Sequence, residues 1–315
     1  MTTRRLADPA SAARYPLPVD GAADWTAAGA RQQLRLPLPA LRAGTLLVPS
    51  LALPASDGAD PPRHRWTLCS GDRAWPLPPV PSDPADVAAA PADTHPDVSR
   101  HVDCFRIHRG IEYPVLELDV DSATPPAGYL VAVSWRPFTV IEVTAPARHA
   151  GLAAAPPPRS QMTAPAAIAP RICSPTCVSM VLDLWRRPHD WLTLCDECRD
   201  PATGMYGVWP MALRAAARRG SVGAVETFTD WDAPLRVLEA GVPLVTSIRF
   251  EADELPGAPL TDTGGHLVVV YGAGPAEVAV CDPAAAEGEV VRVYPAAAFS
   301  RAWLRQRGAA YILPA

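Results

Sequence analysis

Short apolar runs separated by proline, glycine and aspartate make up most of the first 145 residues. Six of these runs are predicted to be strands, and the last three are rich in the β-branched and aromatic residues that strands favour. They span residues 33–38, 45–53, 64–69, 103–107, 114–120 and 129–135. No helical period is visible between them, so residues 1–145 are predicted to form an all-β, sandwich-like domain without helices. Residues 76–96, dense in proline, alanine and aspartate, are predicted to form a long loop.

The pattern changes after a segment rich in alanine and proline, residues 146–160, which is predicted to be a semi-rigid linker. Beyond it, apolar residues recur three and four positions apart and predict a helix over residues 175–187. Further helices and strands follow from periodicity and from the positions of glycine and proline. The helices are predicted at 210–219, 234–240 and 296–305, and the strands at 243–250, 266–271, 277–281, 290–294 and 310–313. Residues 161–315 are therefore predicted to be an α+β domain with helices and an antiparallel sheet.

A cysteine at the start of the first predicted helix is the strongest chemical signal. Cys173 precedes Ser174 and Pro175, which suit an N-cap and a first helical position. The unpaired N–H groups and the positive dipole end of such a helix favour a thiolate, the form that attacks carbonyl carbons. The same N–H groups can stabilise an oxyanion. Cys173 is therefore a candidate nucleophile, although a cysteine near a helix start can also be ordinary packing.

A candidate base and its partner follow from a predicted hairpin. His266 begins one strand, Asp282 ends the next, and the turn between them contains Gly272 and Gly274. A hairpin symmetric about residue 274 pairs His266 with Asp282, whose Cβ atoms would then lie about 5 Å apart. A slip of one residue would break this geometry. With Cys173, these residues provide the nucleophile, base and orienting carboxylate of a catalytic triad.

These segments resemble a known family when they are taken in order along the chain. Ser160-Gln161, Cys173-Ser-Pro-Thr, Gly207-Val-Trp-Pro, Gly265-His-Leu-Val-Val-Val and Cys281-Asp-Pro-Ala are similar to cysteine peptidase family thirty-nine. That family comprises the bacteriocin-processing peptidases and their free-standing relatives within the papain-like clan. The resemblance covers residues 158–315 and implies a papain-like cysteine peptidase domain.

The resemblance also implies a role for Gln161, whose side-chain amide would donate to the oxyanion. Two positions depart from the family pattern: Ser174 stands where many relatives have glycine, and Cys177 where serine or alanine is expected. The predicted function is hydrolysis of a peptide or other amide, without a cofactor. Two alternatives remain open, an acyltransferase with the same triad and a binding module that keeps the fold without catalysis.

Net charge, hydropathy and cysteine spacing limit the expected partners, location and ligands of the chain. The formal charge of −5 and the lack of a basic cluster disfavour a nucleic-acid partner. No apolar run is long enough to span a bilayer, and no signal peptide is visible, so a cytoplasmic location is expected unless a signal has been removed. Cys195 and Cys198 form a C-x-x-C pair, but no second pair completes a zinc site, so no metal is assigned. The oligomeric state is left open.

Overall fold

The computed structural model describes residues 2–55, 60–83, 85, 95–101 and 103–315 of the chain. Residues 84 and 86–94, which belong to the predicted loop over residues 76–96, lie outside the described residues. Among the described residues, no helix is both long enough and apolar enough to cross a membrane.

The described part of the N-terminal half forms two five-stranded sheets with antiparallel neighbours. Its strands are β1 (Thr2–Ala7), β2 (Thr26–Ala28), β3 (Arg31–Pro37), β4 (Thr45–Ala52), β5 (His64–Ser70), β6 (Arg73–Pro76), β7 (Val98–Arg100), β8 (Phe105–Ile107), β9 (Val115–Val120) and β10 (Leu130–Pro137). One sheet has the order β1-β10-β4-β8-β7 and the other β2-β3-β9-β5-β6. The six predicted strands correspond to β3, β4, β5, β8, β9 and β10.

The two sheets face each other across a shared apolar cluster, which supports the predicted sandwich-like arrangement. Strand β9 alternates in burial and contributes Leu116 and Leu118 to this cluster. Strand β4 is buried at every position because both of its faces are covered. Successive side chains of a strand point to opposite faces. Leu47 therefore packs between the two sheets, whereas Leu46 packs against the C-terminal half.

The prediction that this half lacks helices is wrong. Helix α1 (Pro9–Arg14) begins after Asp8, whose Oδ1 accepts the N–H of Ser11 at 2.9 Å. An aspartate N-cap followed by proline at the first helical position is a local helix signal. It was overlooked because one and a half turns are too short to display a period. Strands β1, β2, β6 and β7 were missed as well.

The C-terminal half combines helices with one antiparallel sheet, as predicted. After two 3₁₀ turns, Gln161–Thr163 and Ala169–Arg171, its helices are α2 (Cys173–Leu184), α3 (Trp191–Cys198), α4 (Trp209–Ala217), α5 (Asp232–Glu239) and α6 (Ala296–Leu304). Its strands are β11 (Ala150–Gly151), β12 (Ala224–Thr227), β13 (Leu244–Phe250), β14 (Thr263–Ala273), β15 (Glu277–Cys281), β16 (Val291–Pro295) and β17 (Ala309–Ile312). The predicted elements agree with these bounds to within three residues, but α3, β11 and β12 were not predicted.

The sheet of the C-terminal half separates two layers of helices. Its strand order is β12-β17-β13-β14-β15-β16, and the short β11 pairs with β14. Helices α2, α3 and α4 pack on one face together with Leu267 and Val269. Helices α5 and α6 pack on the other face together with Val268 and Val270. This alternation places α2, with Cys173 as its first residue, directly against β14.

Buried polar contacts join the two halves of the chain. Glu226 of β12 is completely buried and accepts from Arg5 Nε and Nη2 of β1, both at 2.6 Å. Tyr15 donates its hydroxyl to the same carboxylate at 2.7 Å. The predicted domain limits, with a linker over residues 146–160, stay a prediction. Within that segment Ala150–Gly151 is paired with β14.

Candidate active site

Cys173 is the first residue of α2, one position inside the helix rather than ahead of it. The predicted N-cap, Ser174, is wrong: the N-cap position is held by Ile172, without a side-chain hydrogen bond. Ser174 is buried, and its Oγ lies 2.8 Å from the hydroxyl of Tyr311 on β17. This contact ties the start of α2 to the sheet. Ser174 does not cap α2, because its hydroxyl is hydrogen-bonded to Tyr311 of the sheet instead.

The surroundings of Cys173 favour the thiolate. Burial by itself would raise the pKa of this thiol, but a hydrogen bond and the charge of His266 lower it. The backbone N–H groups of Leu267 and Ser174 act in the same direction, and the net pKa lies below the ordinary value. Fixed donors stabilise the charged form of an acid and thereby offset its desolvation.

Burial raises the pKa of the thiols that neighbour Cys173. Cys177, one turn further along α2, is completely buried, and burial raises its pKa well above the ordinary value. Its Sγ donates to the carbonyl of Leu267 at 3.2 Å. Cys281 is also buried, and burial raises its pKa to about 12. A low thiol pKa is therefore specific to Cys173 in this part of the molecule.

His266 and Asp282 form the predicted contact, although the predicted strand register is wrong. His266 Nε2 donates to Asp282 Oδ1 at 2.7 Å, and both side chains are buried. In the hairpin Val269 pairs with Cys281, so extending the register puts residue 268 opposite Asp282. The shift is two residues, and side chains two apart in a strand share a face. The two residues therefore meet diagonally instead of directly.

The charges of this pair stabilise each other. Burial would lower the pKa of His266, but the charge and hydrogen bond of Asp282 raise it, and the net pKa lies above the ordinary value. Burial would raise the pKa of Asp282, but His266 lowers it. A hydrogen bond from Tyr294 lowers it further. The arrangement favours an imidazolium between a carboxylate and a thiolate.

Tyr294 is a site residue that sequence reasoning missed. It is buried on β16, and its hydroxyl donates to Asp282 Oδ2 at 2.6 Å. The backbone N–H of Ala284 donates to Oδ1 at 2.9 Å. Asp282 therefore has both oxygens occupied, and its orientation toward His266 is fixed. The signal in the sequence was a tyrosine in the predicted strand 290–294, the next one after Asp282. A tyrosine that such a strand buries needs a hydrogen-bond partner for its hydroxyl.

Gln161 lies next to the loop that carries Asp282. Its backbone N–H donates to the carbonyl of Pro283 at 2.8 Å, and its Nε2 donates to the carbonyl of Ala169 at 2.8 Å. Its Oε1 is buried without a hydrogen-bond partner in the described residues. The hydrogen bonds of Gln161 thus fix it beside Asp282, and no hydrogen bond among the described residues joins it to Cys173.

The C-x-x-C pair lies on a helix. Cys195 and Cys198 are both buried on α3, and burial raises the pKa of Cys195 to about 12. All seven cysteines fall within the described residues, and each is a free thiol. Over the described ranges, no cluster of three or more His, Cys, Asp or Glu side chains is arranged to hold a metal ion.

Comparison with known proteins gives one family match. The model described as "Peptidase_C39 like family" matches residues 155–311. No curated protein matches the chain. One similar solved structure is a double glycine motif protease from an AMS/PCAT transporter in complex with the leader peptide. It is 17% identical, with 56% of this chain and 100% of that chain covered and a TM-score of 0.36.

A second solved structure is described as a C39-like peptidase from Bacillus anthracis. It is also 17% identical, with 53% of this chain and 98% of that chain covered and a TM-score of 0.41. Similarity at this level carries no argument about activity, whereas the family match runs through the segments that hold Cys173, His266 and Asp282. The C-terminal half of this chain is a C39-like peptidase domain of the papain-like type, and residues 155–311 belong to the Peptidase_C39 like family.

Proposed function

We propose that the chain is a cysteine hydrolase that cleaves a peptide or other amide bond with Cys173 as nucleophile. The observation that carries the proposal is the buried His266–Asp282 pair, whose imidazole favours the thiolate of Cys173. His266 lowers the pKa of the Cys173 thiol against the effect of burial, and His266 Nε2 donates to Asp282 Oδ1 at 2.7 Å. A nucleophile, a base and an orienting carboxylate in contact are the parts that acyl transfer requires.

The first step is attack on the carbonyl carbon. The Cys173 thiolate forms the S–C bond, its proton having passed to His266, and the carbonyl oxygen becomes an oxyanion. As the first residue of α2, Cys173 has a main-chain N–H without an acceptor inside the helix. This N–H and the remaining Nε2 hydrogen of Gln161 are the proposed oxyanion donors.

The second step breaks the C–N bond and the third releases the acyl group. The His266 imidazolium gives its proton to the leaving nitrogen, and a free amine departs. Water then attacks the thioester while neutral His266 accepts its proton, which yields a carboxylic acid and restores the thiol–imidazole pair. Asp282 stays ionised throughout and stabilises the imidazolium at each stage.

The test is a mechanism-based thiol probe combined with an unbiased substrate screen. The full chain is treated with a peptidyl vinyl sulfone and mapped by mass spectrometry, and in parallel it is incubated with a proteome-derived peptide mixture. Cys173 is expected to carry the probe and new peptide termini are expected to appear. Both results should disappear in Cys173→Ala and decrease strongly in His266→Ala.

Cys69→Ala is the matched control, because Cys69 is partly exposed and burial together with Glu117 raises its pKa to about 11. It should behave like the unchanged chain. Conjugates formed only when an amine is added would identify an acyltransferase instead. A Cys173 that reacts no faster than Cys69 would contradict the proposal and favour the binding module.

A further inference from the structure

Two partly exposed arginines lie at the end of the sheet where Cys173 and His266 meet. Arg249, at the end of β13, and Arg307, just before β17, line one shallow depression. Gly264 and Gly265 line the same depression and immediately precede His266 in β14. The depression therefore adjoins the segment of β14 that leads to His266.

Strand register places Arg249 beside the strand segment that carries the candidate base. Ile248 pairs directly with His266, and Arg249 is the next residue of β13. The register shifts at this point, so Gly264 and Gly265 together lie opposite Arg249.

Neutral groups hold both arginines in place. Arg249 Nε donates to the carbonyl of Gly264 at 2.8 Å, and its Nη1 donates to Gln306 Oε1 at 3.0 Å. The guanidinium of Arg307 lies over the ring of Trp209, 5.9 Å from its centroid. Among the described residues, neither positive charge has a carboxylate at ion-pair distance, and Glu251 acts on Arg249 only through its longer-range charge.

The carboxylate of Asp103 affects Arg307 but is held by a different hydrogen bond. Asp103, from the N-terminal half, accepts the N–H of Trp209 at 3.3 Å and so caps the start of α4. It acts on Arg307 only through its longer-range charge. Burial and then the like charge of Arg307 lower the pKa of Arg249. A carboxylate bound between the two guanidinium groups would relieve this repulsion and accept the donors that remain free.

We infer that Arg249 and Arg307 form a carboxylate-binding subsite, so that the preferred substrates carry a carboxylate close to the scissile amide bond. This inference rests on the proposed function of Cys173. The carboxylate can come from an aspartate or glutamate side chain or from the C-terminus of the substrate. Both sources present the planar anion that a guanidinium binds with two parallel hydrogen bonds.

The first experiment compares two alkylating reagents of nearly equal size, anionic iodoacetate and neutral iodoacetamide, at Cys173 of the full chain. The ratio of their rate constants is measured by peptide mapping in the unchanged chain, Arg249→Gln and Arg307→Gln. Each substitution is expected to lower the iodoacetate-to-iodoacetamide ratio about tenfold, the effect of losing one charge-assisted hydrogen bond. Both reagents react with the same thiolate, so the ratio cancels any change in the thiolate fraction, and the circular dichroism spectrum of each variant checks that it is folded.

Arg305→Gln is the matched control. Arg305 lies two residues from Arg307 but is exposed and pairs with Glu254 at 3.2 Å, outside the depression. Its ratio should be unchanged, and Arg249→Lys should retain part of the preference. If iodoacetamide labels Cys173 rapidly but neither Gln variant lowers the ratio, the subsite is refuted and the proposed hydrolase is unaffected. If Cys173 is unreactive with iodoacetamide, both proposals fail.

A peptide screen separates the two sources of the carboxylate. N-acetyl hexapeptides are prepared with Glu or Gln at each position, and each with a free or an amidated C-terminus. Faster cleavage of Glu over Gln peptides with amidated ends indicates a side-chain carboxylate. Faster cleavage of free over amidated ends indicates a C-terminal one. Equal cleavage of all four types would overturn the inference.

Discussion

Asp282→Asn tests the electrostatic core of the proposed site, because it removes a charge and keeps the shape of the side chain. Asp282 is buried and accepts from His266 Nε2 at 2.7 Å. The asparagine oxygen can still accept from His266, and its NH2 group can donate to the hydroxyl oxygen of Tyr294, which donates to Asp282 Oδ2 in the unchanged chain. The substitution therefore isolates the contribution of the carboxylate charge to the imidazolium.

The expected change in the pKa of His266 follows from the strength of one hydrogen bond. A buried hydrogen bond to a charged group contributes about 1.5–3 kcal/mol, and a neutral one about 1 kcal/mol. Losing the charge therefore destabilises the imidazolium by about 0.5–2 kcal/mol, which corresponds to about one pKa unit. The pKa of His266 is raised in the folded protein, so its stabilising charge is present at low pH and is lost as pH rises through that pKa.

In Asp282→Asn, His266 loses its positive charge at a lower pH than in the unchanged chain. The pKa of Cys173 rises because the imidazolium that stabilises its thiolate is itself less stable. The pH range over which thiolate and imidazolium coexist becomes narrower from both sides.

The assay is the rate of iodoacetamide alkylation at Cys173 between pH 4 and pH 9, read by peptide mapping. The midpoint of the unchanged chain is expected below the ordinary thiol value of about 8.5, and that of Asp282→Asn is expected at higher pH. Asp183→Asn is a matched control, since Asp183 is partly exposed on α2 and pairs with Arg159 at 3.0 Å. An identical midpoint in Asp282→Asn and the unchanged chain would refute the reasoning.

Three further predictions follow from burial. At pH 6, brief iodoacetamide treatment should label Cys173 and spare Cys177, whose burial raises its pKa, and the reverse order would contradict the activated thiol. Glu226→Gln should lower the free energy of unfolding in urea by about 3 kcal/mol, because it leaves the buried guanidinium of Arg5 unpaired. Glu254→Gln, which removes the surface ion pair with Arg305, should lower it by less than about 1 kcal/mol. A fragment of residues 155–315 should unfold at a lower urea concentration than the full chain, because it exposes apolar surface that the N-terminal half covers; an equal midpoint would mean that the halves are independent.

The contact between His266 and Asp282 could be predicted although the register could not. Side-chain direction repeats every two residues, so an error of two residues leaves both side chains on the same face. The register itself depends on an irregularity between Val270 and Gly272, where β14 contains one more residue than β15. No composition signal marks that extra residue, because its position is set by packing against the neighbouring strands.

The sequence by itself determined the features that depend on neighbours along the chain. Strand β15 has the predicted bounds, and the helix that begins at Cys173 follows from local apolar spacing. The tertiary structure alone decided which distant groups meet: Tyr294 on Asp282, Tyr311 on Ser174, and the pair formed by β1 and β12 through Glu226. These partners are buried polar groups whose hydrogen bonds must be satisfied somewhere, and chain folding decides where.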